Sequence, residues 1–245
     1  MSESERLNPS EPHKWRPVHF ANIGTDEPFV RGILDLDPVV GACRFTELES
    51  KQVKETINSV MMDGLMPAFL ELRQIRDSVN NPAMPVLDRL QLYEDLGRKL
   101  WKAYKDLTEK AARAIGFKIG FLYDNDEDFE AGAKAFRESN PRLRDGFEKF
   151  LESTREEWQN ELAKFRNNWL EHQRGDRRPF NKFYQPQYAE SLFEAVWRTI
   201  VEILPVLLEL RLMDGVRLVE QSPNDPGPRW PQRFRYDHPA FRDLK

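Results

Sequence analysis

Along most of this chain apolar residues recur in steps of three and four, the period of an α-helix. The pattern becomes regular at Thr46. Thr46 and Glu49 predict a capping box, in which each side chain satisfies a backbone N–H of the first turn. Leu48, Val53, Ile57, Val60 and Met61 come next. Gly64 and Pro67 predict a kink, and the stripe resumes at Phe69, Leu72, Ile75 and Val79. The segment NNPAMP at 80–85 ends it. A second helix spans residues 86–115 on Leu90, Tyr93, Gly97, Leu100, Tyr104, Leu107, Ala111 and Ala114, with Gly116 placed to stop it. A short helix covers 127–138 and stops at Ser139, Asn140 and Pro141.

The clearest stripe is Leu143, Phe147, Leu151, Thr154, Trp158, Leu162, Phe165, Trp169 and His172. One amphipathic helix over 143–172 sets them on one face. A polar loop over 173–185 leads to a last helix at 187–213, lined by Leu192, Val196, Ile200, Ile203, Leu207 and Leu210. From Ile200 onward that helix is apolar on more than one side. This predicts the central helix of a bundle, and surface left over for a second copy of the chain.

The ends lack this period. In residues 1–45, Pro9, Pro12, Pro17, Pro28 and Pro38 alternate with Gly24, Gly32 and Gly41. Such a density of breakers predicts an irregular arm, with one or two short strands at 28–45 or an extended course over the body. Five prolines after Ser222 likewise forbid a helix, yet Trp230, Phe234, Tyr236 and Phe241 are too apolar for a free linker. The expected architecture is therefore an all-α helical bundle over 46–215, an irregular N-terminal arm at 1–45, and a proline-rich tail at 216–245 packed on the body.

Composition narrows the function classes. The chain has 245 residues, 40% hydrophobic and 32% charged, with a formal net charge of −4. That balance suits a soluble globular protein and gives no general attraction to nucleic acid, so such a site has to be a local basic patch. The one cysteine, Cys43, leaves no intramolecular disulfide and no cysteine-built zinc site. No apolar run is long enough to span a bilayer, and the first residues lack the apolar core of a signal peptide, so the expectation is a cytoplasmic protein.

Most candidate chemistry fails on spacing. Asp124, Asp126 and Asp128 resemble the start of a calcium loop, but Phe129 and Ala135 stand where that loop needs Gly and Glu. The acidic run reads instead as the start of a helix, where negative charge is favourable. There is no Gly-rich phosphate loop, serine elbow, HExxH or ExxH pair, and His13, His19 and His238 show no ligand spacing. No metal and no cofactor is expected.

Residues 164–178, KFRNNWLEHQRGDRR, are different. Lys164, Arg166, Arg174, Arg177 and Arg178 outnumber Glu171 and Asp176, and His172 lies among them. A histidine that moves a proton near neutral pH and an arginine that holds a phosphate are what phosphodiester cleavage without metal requires. The run Arg166-Asn167-Asn168-Trp169-Leu170-Glu171-His172 resembles the HEPN signature: an arginine, a polar neighbour, and a histidine a few residues on at the end of a long helix. The resemblance covers about 143–213 and implies a HEPN-like bundle. It also implies a metal-independent endoribonuclease, as found in toxin–antitoxin and phage-defence systems. Arg166 and His172 would be catalytic and Asn167 supporting, with RNA bound in a cleft shared by a homodimer. Lys164, Arg174, Arg177 and Arg178 are the candidate substrate contacts.

Other members of that superfamily are inactive binding or regulatory modules with a protein partner, and that alternative stays open. Six residues at about 100° each set Arg166 and His172 roughly 120° apart on an ideal helix. They converge only where the helix ends near Leu170 or a partner subunit supplies one of them. The competing reading makes His172 a partly buried end to the apolar stripe and Arg166 a surface residue paired with Glu161 or Glu171. The stripe's own aromatic residues, Phe147, Trp158, Phe165 and Trp169, read as core.

Overall fold

The computed structural model describes residues 28–34, 36–81, 83–123, 125–171, 178–220 and 234–237. They form an all-α bundle. Helices α1 (Pro28–Leu34) and α2 (Leu36–Gly41) are short. Helix α3 runs without a break through Glu47–Val60, a π-turn at Met61–Leu65 and Met66–Val79. Helix α4 joins Val86–Asp106, a π-turn at Leu107–Ala111 and Ala112–Ile115. After a 3-10 turn at Gly120–Tyr123 comes α5 (Asp126–Ser139). Helix α6 joins Phe147–Thr154, a π-turn at Arg155–Gln159, Asn160–Lys164 and a final π-turn at Phe165–Leu170. A 3-10 segment, Arg178–Tyr184, leads to α7 (Pro186–Glu209). Two short strands, β1 (Arg217–Glu220) and β2 (Phe234–Asp237), pair antiparallel, with Glu220 opposite Phe234.

The local signals account for the helix boundaries. Thr46 Oγ1 accepts from the Glu49 N–H at 3.2 Å while the Thr46 N–H donates to Glu49 Oε2 at 2.8 Å, so the capping box at α3 is complete. Gly116 ends α4 in the left-handed conformation, φ 98°, where a Cβ would be strained. Asn125 caps α5 by accepting from the Asp128 N–H at 3.0 Å, which makes the acidic run a helix start.

Residues 28–41 differ from the expected irregular arm: they are helical and partly core. Pro28 and Pro38 fall in the first turns of α1 and α2, where a missing N–H costs nothing. Phe29 sits 5.3 Å from the rings of both Phe69 and Phe193, which pins α1 between α3 and α7. The Cys43–Leu212 bridge, with Met213 N–H donating to the Ala42 carbonyl at 3.1 Å, ties the end of α2 to the end of α7.

At Gly64, where a kink is expected between Gly64 and Pro67, the helix continues through a π-turn. There the N–H bonds five residues back rather than four, which inserts one residue and rotates the remainder of the helix. Gly64 is required at that point, because a Cβ on it would lie 2.7 Å from Ala103 Cβ on α4. Helices α3 and α4 are antiparallel. Helix α7 lies against α1, α2, α3 and α4, and Ile200, Ile203, Leu204, Val206, Leu207 and Leu208 are all buried within the chain. The apolarity of 200–212 is therefore used internally and carries no argument for a second copy. The helix ends at Glu209, four residues before the expected Met213. Of the tail beyond 220 only 234–237 are described; Trp230 and Phe241 lie outside the described residues. Among the described residues no helix is long and apolar enough to cross a membrane.

A buried polar cluster sets α6 against α4. Tyr104 Oη donates to Gln159 Oε1 at 2.9 Å, and Gln159 donates in turn to the Leu122 carbonyl. Arg155 donates to the same carbonyl at 2.9 Å, pairs with Asp126 at 2.9 Å, and holds its guanidinium 4.3 Å from the Phe129 ring centroid. Arg155 and Gln159 both belong to the α6 π-turn, which turns two polar side chains into the core side by side. Burial pushes the Tyr104 phenol well above its ordinary pKa, so it remains a neutral donor. Gln159→Leu should therefore destabilise the fold by about 1–3 kcal/mol, because it strands the Tyr104 hydroxyl without an acceptor. Adding Tyr104→Phe should recover part of that loss. Urea unfolding of the two single variants and the double variant measures both effects, and strictly additive losses would contradict the pairing.

Candidate functional site

Helix α6 ends at Leu170, where the Glu171 N–H closes the last π-turn on the Arg166 carbonyl at 3.0 Å. That turn rotates the stripe. Leu170 is buried and Trp169 only partly so, whereas an ideal helix would bury Trp169. Arg166, at the start of that turn, lies on the flank that faces Trp101 of α4.

Three partners hold the Arg166 side chain. Nη1 donates to Asn167 Oδ1 at 2.9 Å, the guanidinium pairs with the Glu171 carboxylate, and its carbon lies 5.8 Å from the centroid of the Trp101 ring. Arg166 and Glu171 are 30% and 41% exposed, so solvent screens the pair and its net worth is at most about 1 kcal/mol. The cation–π contact adds a similar small amount. Arg166 is thus oriented but cheap to redirect toward another anion.

Helix α4 supplies a second row of side chains to this corner. Glu94 Oε1 accepts from Trp169 Nε1 at 3.1 Å and from Tyr184 Oη at 2.9 Å, joining α6, α4 and the 3-10 segment before α7. Arg98 pairs with Asp95 at 2.7 Å and with Glu94 at 3.5 Å. It also donates to the Leu170 carbonyl at 3.4 Å, at the end of α6 where carbonyls have no helical partner. Behind them Phe165 stacks on Phe183 at 4.1 Å and 12°. Glu94, Arg98 and Trp101 are spaced four and three apart, so they share one face of α4. That spacing is present in the sequence but lies beside the stronger apolar stripe.

Of the expected site residues, Arg166 and Asn167 are in direct contact. Lys164 is exposed on α6, and Arg178 is exposed at the start of the 3-10 segment. His172, Arg174 and Arg177 lie outside the described residues. The pairing of Arg166 with Glu171 is the one that the surface-residue reading of Arg166 anticipates.

Other chemistry has less support. Cys43 donates to the Val39 carbonyl at 3.2 Å, and burial pushes its thiol up to about 12, partly offset by Arg211, so it is a poor nucleophile. Among the described residues no three His, Cys, Asp or Glu side chains converge to hold a metal ion. Neither a family model nor a curated protein nor a solved structure matches the chain. What this corner does has to be read from its own geometry.

Glu94, 18% exposed, is the hub. Glu94→Ala should destabilise the fold by about 2 kcal/mol, since it removes a charged acceptor from two hydrogen bonds. It should also alter Trp169 emission. Urea unfolding followed by tryptophan fluorescence reads both changes, and a midpoint and spectrum equal to wild type would show that Glu94 joins nothing.

Proposed function

We propose that the chain is a metal-independent endoribonuclease of HEPN type that acts at the C-terminal end of α6. The observation that carries the proposal is the end of that helix at Leu170. One of the two alternative conditions for bringing Arg166 and His172 together is a helix that stops there; the other is a partner subunit that supplies one of them. Glu171, the residue next to His172, already rests its carboxylate on the Arg166 guanidinium.

In the proposed reaction the 2′-oxygen of one ribose attacks the adjacent phosphorus, and the bond from phosphorus to the 5′-oxygen breaks. His172 accepts the 2′-hydroxyl proton and, so protonated, gives it to the leaving 5′-oxygen. The products are a 2′,3′-cyclic phosphate and a free 5′-hydroxyl. Arg166 exchanges Glu171 for the phosphate and offsets the charge that builds in the transition state. Asn167 keeps the guanidinium oriented. Lys164, Arg174, Arg177 and Arg178 supply positive charge along the RNA backbone. A homodimer with two motifs at one cleft, in a toxin or defence setting, belongs to the same proposal.

A second reading is favoured by one observation. Arg166 already has a carboxylate, an amide oxygen and an indole as partners, as a structural surface arginine would. On that reading the chain is a catalytically silent binding or regulatory module.

Cleavage of single-stranded RNA in EDTA separates the two. The nuclease reading expects cleavage with EDTA present and none on a 2′-deoxy substrate. His172→Ala should slow it by about a hundredfold to ten-thousandfold, and Arg166→Ala comparably, with melting temperatures near wild type. Equal rates in all three proteins would remove these residues from the site. A folded wild-type protein that cleaves no RNA leaves the binding module as the better account.

A further inference from the structure

Trp101 is half-buried on a helix whose neighbouring aromatic residues, Tyr93 and Tyr104, are buried. It lies on the α4 face that carries Glu94 and Arg98. Tyr123 meets its ring edge-on at 5.5 Å and Tyr104 lies at 6.4 Å, so the indole is braced from the core side. Among the described residues its indole N–H donates no hydrogen bond, whereas that of Trp169 is committed to Glu94. The Arg166 guanidinium lies over the ring.

A cation and a braced, partly open aromatic ring are thus placed side by side, with a spare donor at the ring's edge. A nucleotide has the matching features: an anionic phosphate beside an aromatic base with hydrogen-bonding edges. Single-stranded RNA offers such bases unpaired, and aromatic side chains take them by stacking. A peptide carboxylate could meet Arg166 but would leave the ring without a flat partner.

We propose that Trp101 is a base-stacking platform for single-stranded RNA and that Arg166 holds the phosphate of the stacked nucleotide. The inference rests on the nuclease reading for the identity of the ligand and names a positioning residue that reading lacked. Arg166 has two exchangeable partners. When the phosphate replaces Glu171, the guanidinium swings off the ring and uncovers the face on which the base stacks. Phosphate binding and base stacking are then linked, and both precede cleavage.

Binding can be measured apart from catalysis with fluorescently labelled 2′-O-methyl oligonucleotides of A, C or U, about ten nucleotides long, which lack the attacking hydroxyl. Full-length wild-type protein should bind at least one of them. Trp101→Leu keeps an apolar side chain, though a smaller one, and removes the π-face, so its affinity should fall about five- to 150-fold. Trp101→Phe should keep most of the affinity. The salt dependence distinguishes stacking from loss of fold. Trp101→Leu should leave the slope of log K against log salt unchanged, whereas Arg166→Ala should make it shallower by about 0.7. Melting temperatures of the three variants control for folding.

Wild-type affinity in Trp101→Leu overturns the proposal, and so does a wild-type protein that binds none of the oligonucleotides. If Trp101→Leu loses binding but native RNA is never cleaved, the platform stands and the nuclease reading fails. If native RNA is cleaved and Trp101→Leu binds as wild type does, the nuclease reading stands and the platform fails.

Discussion

The hydrogen bond from Tyr104 to Gln159, with Gln159 and Arg155 sharing the Leu122 carbonyl, fixes how α6 sits on α4. Apolar packing alone would tolerate small rotations of one helix against another. A buried hydroxyl, amide and guanidinium do not, because each lost partner leaves a polar group desolvated. Arg155 and Gln159, four residues apart in the π-turn of α6, both turn into the core. About two turns further along the same helix, Arg166 inherits that orientation.

From there the corner is assembled in order. Helix α6, held at its middle, runs past Gly97, where a Cβ would lie 3.0 Å from the Phe165 ring. It stops at Leu170, whose carbonyl is taken by Arg98. Glu94 joins Trp169 to Tyr184 and so brings the approach to α7 alongside. The arginine sits on an exposed edge of a rigid frame and is held there only by weak, screened contacts. In the proposed reaction Arg166 exchanges Glu171 for the phosphate, and that combination suits the exchange.

Much of the frame is legible in the sequence. The capping box at Thr46, the stop at Gly116 and most of the stripes of α3, α4 and α7 express helical period and capping chemistry, although Leu48 and Val79, projected onto the α3 stripe, are 66% and 52% exposed. What period cannot show is the π-turns. Each inserts one residue, so the stripe projected to Trp169 comes to rest on Leu170, and the one projected to Ala114 on Ile115. At 28–41 a count of prolines as breakers predicts irregular chain, but a proline in a first turn breaks nothing, and that is where Pro28 and Pro38 stand. At the candidate site, the contact between Arg166 and Asn167 is local, and a short motif draws attention to both residues. Glu94, Arg98 and Trp101 are not legible in this way, because their partners on α6 lie more than 60 residues away in sequence and a contact of that kind leaves no local pattern.

The central claim is that an arginine and a histidine at the end of α6 direct attack by a 2′-hydroxyl. The chemistry of the product ends tests this most directly. Mass spectrometry of fragments from a defined single-stranded RNA, digested with EDTA present, should find a 2′,3′-cyclic phosphate on one side of each cut and a 5′-hydroxyl on the other. Fragments carrying a 5′-phosphate and a 3′-hydroxyl would require an attacking water in place of the ribose oxygen and would contradict the claim.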